Sequence, residues 1–141
     1  MKKIFVLILG VLTLTLAACS GGATSSSSAA QQITIEASEF NFQPATIEVS
    51  AGRPVKLVMR NKGAVEHDWA IMKIPMMGKN ESSMGGHDMS GVSNEPELHL
   101  NVALGRTGQV EFTPTEKGTY QIACTVAGHK EAGMVGTLVV K

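Results

Sequence analysis

The chain has 141 residues, of which 43% are hydrophobic and 17% charged, with 12 basic and 12 acidic side chains and a formal net charge of +0 at pH 7. That is enough for one domain of ordinary size, and the balanced charge offers nucleic acid no basic surface to bind. Two cysteines, Cys19 and Cys124, are too few for a disulfide framework.

Residues 1–18 read as a signal peptide: Lys2 and Lys3 precede "IFVLILGVLTLTLAA", an apolar run too short for a membrane span. It ends in Leu16-Ala17-Ala18-Cys19, which resembles a bacterial lipobox, whose cysteine is lipidated and becomes the first mature residue. The small residues directly before Cys19 favour this over an ordinary signal peptide with a chance cysteine. Cys124 is then the single free thiol of an exported protein, and such a thiol needs a partner or a use. Residues 19–31 hold Cys19 and a Gly/Ser/Ala tract that cannot bury surface, so a flexible tether is expected. Without the leader lysines, ten basic residues face twelve acidic ones.

Residues 32–141 read as one all-β domain. "ITIEA" alternates, with Ile33, Ile35 and Ala37 on one face. "ATIEVS" and "PVKLVMRNKG" are two further runs joined across the turn signal Ala51-Gly52-Arg53-Pro54. "HDWAIM" is a fourth candidate strand. "LHLNVAL" puts Leu98, Leu100, Val102 and Leu104 on one side and leaves His99 exposed and incidental. "GQVEFTP", "GTYQIAC" and "VGTLVVK" complete the set. About eight short strands separated by Gly- and Pro-rich turns predict a Greek-key β-sandwich or barrel. No stretch has the period of a long amphipathic helix.

Residues 73–97 have no strand pattern and read as an insertion. Together with Met72 they contain Met76, Met77, Met84 and Met89, with His87 among them. Met72 continues the alternation of the preceding strand and should pack. Met76 and Met77 could form an apolar surface beside a metal site. The remainder reads first as a loop with incidental methionines, then as an adaptable docking patch. Met84, His87 and Met89 could also make a second, weaker copper site, because thioethers favour reduced copper.

The chemistry concentrates in "CTVAGHKEAGM", where Cys124, His129 and Met134 are evenly spaced, and in the upstream His67. Two imidazoles, a thiolate and a weak axial thioether make the ligand set of a type 1 blue-copper site. The thiolate stabilises reduced copper, imidazole serves both oxidation states, and a fixed compromise geometry keeps reorganisation small. Cys124 ends one strand and another begins soon after Met134, so a tight loop can gather three donors, with glycine before His129 and before Met134. Each residue alone has an ordinary structural reading: Cys124 as a small buried hydrophobe, Met134 as core, His67 as a strand residue beside Trp69. All four in this order on an exported β domain favour the metal. Structural zinc prefers four strong ligands, and catalytic zinc keeps a water instead of methionine.

At these residues, "NKGAVEHDWAI" and "GTYQIACTVAGHKEAGMVGTLVV", the chain resembles the cupredoxins, and among them the auracyanin and azurin group. The resemblance spans roughly residues 32–141 and is weakest at 73–97. It implies one copper ion held by His67, Cys124, His129 and Met134, electron transfer through the edge of His129, and an apolar patch around that edge for brief contact with redox partners. It also implies a residue after the first histidine that pins the cysteine loop. Relatives often have asparagine there; this chain has Asp68, which can accept from Thr125 but lacks the amide donor.

The expectation is therefore a monomeric electron carrier, exported and lipid-anchored on the periplasmic or outer cell-surface side. It is not an enzyme: four histidines are too few for a multicopper oxidase, and Cys124 has no cysteine neighbour for a dinuclear centre. The alternative is a copper-delivery lipoprotein that works through its methionine-rich segment.

Overall fold

The computed structural model describes residues 29–82 and 95–141. The signal peptide, Cys19, most of the tether, and Met84, His87 and Met89 lie outside the described residues. Among the described residues ten strands form: β1 (Gln31–Ser38), β2 (Asn41–Gln43), β3 (Thr46–Val49), β4 (Val55–Asn61), β5 (His67–Ile71), β6 (Met76–Ser82), β7 (Leu98–Val102), β8 (Thr107–Pro114), β9 (Gly118–Ala123) and β10 (Val135–Val140). They make two five-stranded sheets, ordered β2-β1-β4-β8-β6 and β3-β10-β9-β5-β7. This is the expected two-layer Greek-key sandwich. No described helix is long and apolar enough to cross a membrane.

Alternation in the sequence becomes alternation in burial. Along β4, Val55, Leu57 and Met59 are buried, and along β8 Val110 and Phe112 meet them from the neighbouring strand. Ile47, Val49, Leu138 and Val140 close the core from the parallel pair β3 and β10. Trp69, on β5, packs its ring 6.2 Å from that of Phe112 on the facing sheet. Two layers whose apolar faces meet leave little inner surface wet, which is the main force holding the sheets together.

β4 runs toward Asn61, β5 starts at His67 opposite Val102, and β9 finishes at Ala123 just before Cys124. These points share one end of the sandwich, because the Asn61 side chain donates to the Val102 carbonyl across the two sheets.

Several local readings change. Residues 73–97 contain β6, which pairs antiparallel with β8 after a register slip between Met77 and Lys79. Lys, Asn, Glu and Ser in this edge strand conceal it from a hydrophobic pattern, since backbone pairing with β8 holds it. Met76 pairs with Pro114 at the end remote from His67 and Cys124, so Met76 and Met77 do not flank the metal site. Met72 does not pack either: β5 is buried at all five residues and ends at Ile71, leaving Met72 half exposed in a bend. Leu104 lies beyond the end of β7 and is 58% exposed instead of joining the leucine face. The short strand β2 was not apparent because three residues are too few to show a period.

Candidate metal centre

His67 opens β5, Cys124 follows β9, and His129 and Met134 lie in the loop from β9 to β10. Pairing of Val135 with Ala123 closes that loop at its base. Inside it the Cys124 N–H donates to the Met134 carbonyl at 3.1 Å, and the Met134 N–H donates to the His129 carbonyl at 2.9 Å. The three residues are thus tied to one another through their own backbone. Gly128 and Gly133 turn the chain with φ of 83° and 102°, a region where a Cβ would be strained.

The result is a compact donor cluster. One ligand atom each from His67, Cys124 and His129 lies within 4.8 Å of the others. Cys124 Sγ is 3.4 Å from His129 Nδ1, and the two imidazole rings are 5.0 Å apart between centroids, tilted by 48°. Cys124, His67 and Met134 have no exposed surface, while His129 is half-buried.

The residues fit a metal. Both ring nitrogens of His67 are buried without a hydrogen-bond partner among the described residues. An unmatched buried polar atom costs about 1–3 kcal/mol, and an ion between the three side chains would satisfy one of these nitrogens. Burial, helped by the neighbouring His129, lowers the His67 pKa below the ordinary histidine value, keeping a lone pair free. Burial raises the Cys124 thiol above its ordinary value, so a metal there displaces a proton. A thiolate, two imidazoles and a nearby buried thioether form a soft, copper-selecting set.

The surroundings fix these side chains. The Asp68 N–H donates to Cys124 Sγ at 3.3 Å. The Asp68 carboxylate accepts from the Thr125 hydroxyl and, at 2.6 Å, from Asn101 Nδ2, and lies 3.4 Å from His99 Nε2. Burial would raise the Asp68 pKa, but the bonds from His99, Thr125 and Asn101 outweigh it and hold the carboxyl below its ordinary value. His99 is therefore neither exposed nor incidental. It stands opposite Ala70 on the neighbouring strand, and its side chain, 24% exposed, faces Asp68.

Asn61, Gly63 and Asn101 carry structure that the sequence reading missed. Asn61 Nδ2 donates to the Val65 carbonyl at 2.7 Å and the Val102 carbonyl at 2.9 Å, and Oδ1 accepts from the Gly63 N–H at 2.8 Å. It thus pins the loop that delivers His67. The Asn-x-Gly of "NKG" was the available signal, since asparagine often bonds the backbone two residues on. A Cβ on Gly63 would lie 2.5 Å from His67 Nε2, so this position must be glycine for the imidazole to fit.

A two-sheet sandwich carrying a Cys-His-His cluster beside a buried methionine at one end defines a class of small copper proteins. The cupredoxin-like domain family matches residues 6–140, and the chain belongs to it. Auracyanin-A of Chloroflexus aurantiacus is 30% identical over 161 residues, covering 99% of this chain and 97% of the relative. The copper-resistant cuproprotein CopI of Rubrivivax gelatinosus is 32% identical over 102 residues, covering 72% of this chain; the match spans 61% of that relative's own length. The solved structure of auracyanin A superposes with a TM-score of 0.56 at 25% identity, covering 78% of this chain and 99% of that one. The cofactor is one type 1 copper ion, for which His67, Cys124, His129 and Met134 are positioned.

Proposed function

We propose that the protein is a one-electron carrier in which His67, Cys124, His129 and Met134 would hold the copper ion. The approach of Cys124 Sγ to 3.4 Å from His129 Nδ1, with a nitrogen of His67 in the same 4.8 Å cluster, carries the reading. When bound, copper supplies a one-electron couple. The chain supplies a buried thiolate with a backbone hydrogen bond, a loop tied to itself, and His67 on a loop pinned by Asn61. His129 offers a half-buried imidazole edge to the outside. Phe40, Val65, Leu104 and Val135 are exposed apolar residues around this end, 48%, 46%, 58% and 37% exposed. Such a surface suits brief contact with donor and acceptor proteins. The protein acts as an exported monomer, anchored to a membrane by lipid on Cys19. It carries electrons and is not an enzyme.

A second reading draws on the relative named a copper-resistant cuproprotein. In it the protein takes or passes copper, and Met84, His87 and Met89 bind a second ion weakly.

The test is an optical and paramagnetic-resonance spectrum of the copper-loaded protein, followed by redox titration. An intense visible charge-transfer band that Cys124→Ser abolishes is expected, with reversible one-electron titration. No visible band with Cu(II) overturns the metal assignment. Deleting residues 83–94 separates the two readings: a carrier keeps its colour and its electron exchange, whereas a delivery protein loses copper transfer to its client.

A further inference from the structure

The turn between β1 and β2 contains an anomaly. Phe40 has φ of 58°, the left-handed region that bulky L-residues avoid. Its side chain is 48% exposed, so burial does not repay the strained backbone. Strain of this kind persists where the surroundings hold it and clusters at functional sites.

Two contacts give the turn a purpose. The Phe40 ring meets His129 edge to face, with centroids 5.4 Å apart and planes at 86°. This is a favourable aromatic geometry. The adjacent Glu39 carboxylate accepts from the Ala64 N–H, in the loop that delivers His67. A Cβ on Gly63 would lie 2.9 Å from Glu39 Oε1 and 2.5 Å from His67 Nε2, so carboxylate and imidazole both crowd the space that a side chain at Gly63 would take. One turn therefore supports both histidines, and the ring contact needs the backbone conformation that places Phe40 over the loop.

We propose that Phe40 is a positioning residue for the copper ligand His129: its ring holds the imidazole in the ligating orientation, and the turn keeps its strained backbone for that purpose. The inference rests on His129 being a copper ligand. It assigns Phe40 a role in retaining the metal, separate from any contact with a partner.

The experiment compares the full chain with Phe40→Asn and Phe40→Tyr. Asparagine accepts the left-handed conformation and removes the ring, while tyrosine keeps both ring and strain. The measurements are the thermal midpoint of the metal-free protein, the visible spectrum of the copper-loaded protein, and the rate at which excess bicinchoninate removes copper from the reduced protein. Phe40→Asn should match or exceed the wild-type midpoint without metal, yet lose copper roughly tenfold faster, which corresponds to about 1.4 kcal/mol, and shift its visible band. Phe40→Tyr should restore the wild-type release rate and band. Copper release from Phe40→Asn at the wild-type rate overturns the proposal. So does a lowered metal-free midpoint in that variant, which would make the contact merely structural. A wild-type protein that shows no visible band refutes the copper site itself, a failure recognisable before any variant is compared.

Discussion

Asn61→Ala tests whether the loop holding His67 depends on one side chain. The amide is 2% exposed and makes three hydrogen bonds, to the carbonyls of Val65 and Val102 and from the N–H of Gly63. A buried hydrogen bond contributes about 1 kcal/mol net, and an orphaned partner costs about 1–3 kcal/mol. Lys62, Ala64, Val65 and Glu66 are exposed, so water can reach part of this loop and soften the penalty. The Val102 carbonyl lies between the sheets and has no such relief. Together these give a loss of about 2–4 kcal/mol. For a domain of this size that lowers the thermal midpoint by roughly 8–16 °C. Urea and thermal unfolding of the metal-free protein measure the loss directly, and the copper-loaded spectrum reports on His67. The visible band should weaken or shift as the loop loosens. A change below about 1 kcal/mol together with an unaltered band would refute the claim that Asn61 organises the histidine loop.

Gly63→Ala places a methyl group 2.5 Å from His67 Nε2, so the imidazole must move; competition titration should show copper binding weakened by roughly tenfold or more, and wild-type affinity would mean the loop yields instead. Met134→Leu keeps a similar volume at a fully buried position and should cost less than about 1.5 kcal/mol of stability while the colour persists and the midpoint potential rises. Loss of all copper would show that the thioether holds the metal instead of tuning it. Copper affinity should also depend on pH. Because the Cys124 pKa is raised, the thiol is protonated at neutral pH and copper binding releases its proton; His67, whose pKa is lowered, is already neutral there. Affinity should therefore climb about tenfold per pH unit between roughly pH 7.5 and 8.5, and a flat profile would show that this thiol is not the ligand.

Strands such as β3, β4 and β8 were legible because each buries one face, and burial is what the period of two records. β6 was not legible: its polar residues gain their place by backbone pairing with β8, which leaves no hydrophobic trace. The donor cluster was legible because chemistry restricts it to Cys, His and Met at a loop spacing. Its supports were not. Asn61, Asn101, His99 and Phe40 lie far along the chain from Cys124 and His129, and nothing in their spacing to those residues announces a contact. They meet because β7 pairs with β5 and because the β1–β2 turn folds over the loop after β9.

The departure at position 68 illustrates how the sandwich compensates. An aspartate after His67 lacks the amide donor that asparagine would bring, and a carboxylate buried beside a thiolate is costly unless fully bonded. The adjacent strand supplies what is missing. In the register of β5 with β7, Asn101 is the direct partner of Asp68, and its amide donates to the carboxylate at 2.6 Å. Two residues earlier on the same face, His99 brings a ring nitrogen to 3.4 Å. Thr125 donates from the other side and so ties the residue after Cys124 to β5. The carboxylate accepts where an asparagine amide would donate, and the cysteine loop remains anchored through Thr125. Meanwhile the Asp68 backbone N–H, whose direction the strand fixes whatever the side chain, still points at the sulfur. Side-chain identity at 68 can therefore change without loss of the thiolate's backbone hydrogen bond.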